Sequence, residues 1–144
     1  MKIPDSQLVA STYERLQEKE AREGAEAITD IMRVVLVVGR ASDVLGNGGF
    51  RNCFEQGLPL RATVEACTLI GATTLAAALQ QLLELFPEQE VPDDYDERME
   101  LVHHLYRQHS EHLSRLESNY EAASGMIEHQ LAAWIHGHSH VFGA

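Results

Sequence analysis

A chain of 144 residues, 44% hydrophobic and 23% charged, has the size and composition of one globular domain that buries roughly 68–70% of its unfolded surface. This composition is too apolar for a disordered segment. The 22 acids against 11 bases give a net charge of −11, which repels nucleic acid and anionic membranes at long range and attracts basic partners. No apolar run reaches the roughly 18 residues of a membrane span, and Met1 to Asp5 lack the apolar core of a signal peptide. The expectation is a single cytoplasmic domain over residues 1–144, with Cys53 and Cys67, outside any CxxC pair, as reduced structural thiols.

The apolar residues recur with a helical period almost throughout. In the first helix Asp5 or Ser6 is the expected cap, Val9, Tyr13 and Leu16 form the inward stripe, and Gly24 is the stop. Ile28, Ile31, Val35, Val38 and Leu45 define a second helix ending at Gly46-Asn47-Gly48-Gly49. The β-branched run Val34 to Val38 before Gly39 also reads as a strand entering a phosphate loop. However, Gly39, Gly46, Gly48 and Gly49 match neither GxGxxG nor GxxxxGK[ST]. A left-handed glycine stop is the better reading, with Gly48 or Gly49 at positive φ.

Phe50 to Phe54 read as a short amphipathic turn broken at Gly57-Leu58-Pro59. A helix over Leu60–Ile70 is interrupted at Gly71. The next is capped by Thr73 or Thr74, carries Leu75, Leu79, Leu82, Leu83 and Phe86, and ends at Pro87. Residues 87–94, with two prolines and no apolar period, are the one substantial loop. A long helix follows with Val102, Leu105, His109, Leu113, Leu116 and Tyr120 inward. The last starts near Ser124 and buries Ile127, Leu131, Trp134, His138 and Val141. The predicted fold class is therefore all-α, a single-domain bundle of about six helices.

Eight histidines invite a metal hypothesis, sharpest at His136, His138 and His140. On a helix His136 and His140 share a face with His129 while His138 points to the apolar stripe, and no Cys or HExxH pattern completes a ligand set. His103, His104 and His112 have no obvious partners. Without a GxSxG elbow or a marked nucleophile, the expectation is no catalytic residue, no metal ligand and no cofactor.

The acidic run is more informative. Glu84, Glu88, Glu90, Asp93, Asp94, Asp96, Glu97 and Glu100 are set against a single base, Arg98. On a helix, Asp93 with Glu97 and Asp96 with Glu100 are like-charge pairs, each unfavourable by about 0.2–0.5 kcal/mol. Acids at a helix start recover some of this through the macrodipole. As a patch, Glu88, Glu90, Asp93, Asp94, Asp96, Glu97 and Glu100 are the candidate partner-binding residues, with charge spacing comparable to one strand of a nucleic-acid backbone.

At Asn47-Gly48-Gly49-Phe50 the chain resembles a bacterial family of small all-helical proteins named for a DNA-mimic member. In that family NGGF precedes a pattern like QYFxN and then a glycine. Here Phe54 and Gly57 agree, while Asn52, Cys53 and Gln56 depart. Ile70-Gly71-Ala72, Phe86-Pro87, and Leu113, Leu116 and Tyr120 extend the likeness over roughly residues 28–142. The resemblance implies an all-α fold and, for the named member, a homodimer occupying the DNA-binding surface of a transcription factor.

Three functions compete. The first is an acidic module binding a basic protein, such as a DNA-binding regulator, without contacting nucleic acid or membrane itself. The second is an immunity or antitoxin-like protein that neutralises a basic toxin. The third is a metal-dependent hydrolase using the histidines.

Overall fold

The computed structural model describes residues 3–143, which form eight α-helices, two short 3₁₀ turns and no strand. The helices are α1 (Asp5–Glu23), α2 (Asp30–Gly46), α3 (Gly49–Gln56), α4 (Leu60–Leu69), α5 (Thr73–Glu84), α6 (Tyr95–Ser124), α7 (Ile127–Gly137) and α8 (Ser139–Phe142). The class is the one predicted, and the helix count exceeds six for two local reasons. The stretch after the glycines closes into a full helix, α3, and the final helix breaks at His138 (φ −126°, ψ 34°).

That break has a visible cause. The His138 Nδ1 lies 2.8 Å from the Trp134 carbonyl, which can only accept, so Nδ1 carries the proton. The ring takes the carbonyl that the His138 N–H would have used, and that N–H turns to Ile135 O instead. His138 is thus half-buried, its centroid 4.2 Å from that of Trp134, and the core position falls to Phe142 with Val141 only half-buried.

Other boundaries also shift. Pro4 and Ala72 cap α1 and α5, and neither Asp5 or Ser6 nor Thr73 or Thr74 supplies a side-chain cap. Ile28 precedes α2, whose start is set by Thr29 accepting from Met32 N. The long helix α6 runs through Ser124, and α7 begins only at Ile127 after a turn closed by Met126 N to Ala123 O. His109 is exposed because α6 is unwound there (φ −132°, ψ 30°). Tyr106, half-buried, makes the inward contact edge-on to Phe54.

The expected stripes otherwise meet in one core. Leu75, Leu79, Leu82, Leu83 and Phe86 of the α5 segment are all buried, as are Val35, Val38 and Leu45 of α2 and Leu113, Leu116 and Tyr120 of α6. Helix α5 packs between α4 and α6, α3 joins α2 to α6, and α1 lies on α7 and α2. The β-branched run Val34 to Val38 is helical, and Gly39 has no phosphate role. It lets the Tyr13 ring lie against α2, where a Cβ would stand 2.6 Å from that ring.

Both cysteines are buried and free. Burial pushes Cys53, despite the nearby Arg98, and Cys67 from 9.0 up to about 12, and pushes Tyr120 from 10.0 up to about 12. A raised folded value means that the native state holds the proton more tightly. The stability this contributes is complete below the ordinary thiol value and is lost as pH rises towards about 12. The urea midpoint should stay level from neutrality to about pH 8.5 and fall steadily above it. A midpoint level to about pH 11 would contradict this burial.

Candidate partner-binding surface

Residues 84–100 join the end of α5 to the start of α6 across the core's edge. Pro87 prevents α5 from continuing, and a 3₁₀ turn, Pro87–Gln89, follows with Glu88 and Gln89 at positive φ (57° and 56°). The predicted loop is therefore pinned, with Arg61 donating to Gln89 O at 2.7 Å. Asp94 caps α6, its Oδ2 accepting from Glu97 N at 2.9 Å. Because α6 begins at Tyr95, Asp93 and Glu97 are not neighbours on a helix face. Only Asp96 and Glu100 remain a like-charge pair at that spacing, and Asp96 and Glu97 sit favourably in the first turn.

All eight acids, Glu84, Glu88, Glu90, Asp93, Asp94, Asp96, Glu97 and Glu100, are exposed. Among the described residues none of them lies within ion-pair distance of a base. The one base of the segment points the other way. Arg98 is 6% exposed, and its guanidinium donates to four carbonyls: Nε to Phe54 at 2.6 Å, Nη1 to Asp93 at 2.9 Å and Pro92 at 3.1 Å, and Nη2 to Glu55 at 3.4 Å. Two of these carbonyls belong to the last turn of α3, where a cation complements both the orphan acceptors and the helix dipole. The charge that offset the acids in a sequence count is thus removed from the surface.

The sequence reading missed Arg98, although a signal was present. It stands four residues before Val102 and seven before Leu105, so it lies on the buried stripe of α6. Tyr95, which sequence reasoning did not single out, is 52% exposed beside the acids, its ring 5.6 Å from the Arg98 guanidinium carbon.

The NGGF turn supports this surface from the opposite end of α3. Asn47 Nδ2 donates to Asp43 O at 2.7 Å and Asn52 Nδ2 to Val44 O at 2.8 Å, closing the carboxyl end of α2. Gly48 (φ 136°) and Gly49 (φ 62°) reverse the chain, and Phe50 enters the core while its N–H donates to Glu117 at 2.6 Å. Helix α3 is therefore held at its amino end by a carboxylate and at its carboxyl end by a guanidinium, both from α6. A Cβ on Gly49 would run into the Glu117 carboxylate. Gly49→Val should cost roughly 1–3 kcal/mol, as for a side chain forced into the left-handed region, and lower the melting temperature. An unchanged melting temperature would contradict that assignment.

The histidines do not converge. His103, His104, His109, His136 and His140 are exposed, and the break at His138 separates the last two. His129 Nδ1 reaches Asp5 Oδ2 at 3.1 Å, joining α7 to α1. Among the described residues no three His, Cys, Asp or Glu side chains are grouped to hold a metal ion, and no helix is long and apolar enough to cross a membrane.

A family model described as DMP19-like protein matches residues 26–138, from just before α2 to the end of α7. The chain belongs to the DMP19-like family. The match takes in the NGGF turn, α3, the acidic segment and all of α6, and it leaves α1 of this DMP19-like chain outside. No curated protein and no solved structure matches the chain.

Proposed function

We propose that this chain is a cytoplasmic acidic binding module that occupies the nucleic-acid-binding surface of a basic protein and acts by binding, without catalysis. The observation that carries this reading is the exposed set of carboxylates from Glu84 to Glu100 with its only base, Arg98, turned into the core. The family name, which refers to a DNA mimic, supports it from a separate direction. A surface of unpaired carboxylates on a capped helix presents fixed negative charge to a protein built to neutralise phosphates. The net charge of −11 also disfavours nucleic acid as the ligand.

The test is association kinetics with a basic protein captured from the native host and identified by mass spectrometry. Glu90→Lys, Asp93→Lys and Glu100→Lys together leave the Asp94 cap and the Arg98 contacts in place. This triple variant should associate at least about tenfold more slowly at low salt and show a flatter salt dependence, with an unchanged melting temperature. Equal rates for wild type and variant would show that these carboxylates are only a solvated face.

A further inference from the structure

Among the described residues four large hydrophobic side chains are exposed, Ile3, Leu69, Tyr95 and Met126, and of these only Tyr95 stands within the acidic segment. Asp94 precedes it and Asp96 follows it, and its backbone is fixed because it opens α6 directly after the Asp94 cap. It takes no part in the hydrophobic core. The Arg98 guanidinium carbon lies over one side of its ring, 5.6 Å from the centroid. Four carbonyls hold that guanidinium on the buried side, so it does not fold over the outer face. With Tyr95 52% exposed, the opposite face of the ring is open to solvent.

We infer that the open face of Tyr95 docks an arginine side chain of the basic partner, so that the acidic segment selects arginine-rich over lysine-rich surfaces. This rests on the function proposed above for the carboxylates and adds a residue that chooses between cations of equal charge. A guanidinium is planar and more weakly hydrated than an ammonium, so it lies flat on a ring while its N–H groups still reach neighbouring carboxylates. A lysine ammonium is a compact, strongly hydrated charge and gains less from the ring. Proteins that bind nucleic acid use arginine in both ways, pairing it with phosphates and stacking its plane on bases. In this chain the exposed carboxylates take the place of the phosphates, and the Tyr95 ring supplies the flat face that a base would offer. The Arg98 contact already shows the ring accepting a guanidinium on its inner side, at the outer limit of roughly 6 Å for such contacts.

The experiment titrates the full chain with hexaarginine and hexalysine peptides of equal charge, blocked at both ends, at low ionic strength. Wild type should bind hexaarginine more tightly. Tyr95→Leu keeps an apolar side chain and removes the ring, and it should shrink that preference by about two- to fivefold, the size of an exposed cation–ring contact. Tyr95→Phe retains the ring and should retain the preference. A purely structural role for Tyr95 would change the affinity for both peptides alike and leave their ratio unmoved. The triple lysine variant, Glu90→Lys, Asp93→Lys and Glu100→Lys, should weaken both peptides by similar factors, since it removes charge and leaves the ring. An arginine preference undiminished in Tyr95→Leu, with both peptides weakened by the triple variant, would overturn this inference and leave the acidic surface standing. Binding of both peptides that is equal in wild type and triple variant would overturn the reading of the surface and this inference with it.

Discussion

Arg98→Met should destabilise the protein by about 3–5 kcal/mol, read as a fall in the urea midpoint at unchanged slope. Hydrogen bonds to a charged group contribute about 1.5–3 kcal/mol each, and the two shortest here, to Phe54 O and Asp93 O, tie α3 to the segment before α6. Methionine keeps much of the apolar stem and removes the fork, which takes the guanidinium donor from the carbonyls of Glu55, Pro92 and Asp93 and leaves that of Phe54 with only the Gly57 N–H at 3.3 Å. Arg98→Lys should recover little. A single ammonium lacks the planar set of donors that reaches the α3 end and the 92–93 backbone together. A loss below about 1 kcal/mol for Arg98→Met would mean that water satisfies these carbonyls and that the guanidinium is not a structural tie.

The other large effect is expected at Phe54, which is 1% exposed and central to the aromatic cluster. Its ring centroid lies 5.7 Å from Phe86, 6.4 Å from Tyr106 and 6.5 Å from Phe50, all tilted or edge-on. Removing a buried phenyl ring costs about 3–5 kcal/mol through lost transfer energy and the cavity left behind, and tilted aromatic pairs add about 0.5–1.5 kcal/mol each. Phe54→Ala should therefore sit at the upper end of that range in urea unfolding, with Phe54→Leu markedly milder. A cost under about 2 kcal/mol would show that the cluster collapses around the gap. The Phe54 carbonyl is also the closest acceptor of Arg98, so the two variants should not be additive.

Much of the fold could be read from the chain because burial imposes a period. Leu75, Leu79, Leu82, Leu83 and Phe86 could lie together only on one helical face, and the glycines after Gly46 offered the left-handed conformations that a reversal needs. The breaks in that period were not legible. His109 and His138 interrupt α6 and the C-terminal helix through backbone angles that spacing does not encode, and in the second case through a ring that competes for the Trp134 carbonyl. Helix α3 is only eight residues long and is held at its two ends by side chains from α6 that lie 67 and 44 residues further along the chain, so local propensity understated it. For the acidic segment, the carboxylates and their exposure followed from composition. That the segment's own base is withdrawn from the carboxylates depends on where Arg98 points, which is a tertiary fact.

On the proposed function, this chain and DNA compete for one surface of a basic protein. It is tested most directly by competition, with the captured partner bound to a fluorescent DNA duplex and titrated with this protein at fixed ionic strength. Wild type should displace the duplex fully, and the Glu90→Lys, Asp93→Lys, Glu100→Lys variant should show a rightward shift of at least about tenfold, with no ternary complex at any ratio. A stable ternary complex of partner, duplex and this chain, or displacement equally efficient with the triple variant, would contradict it.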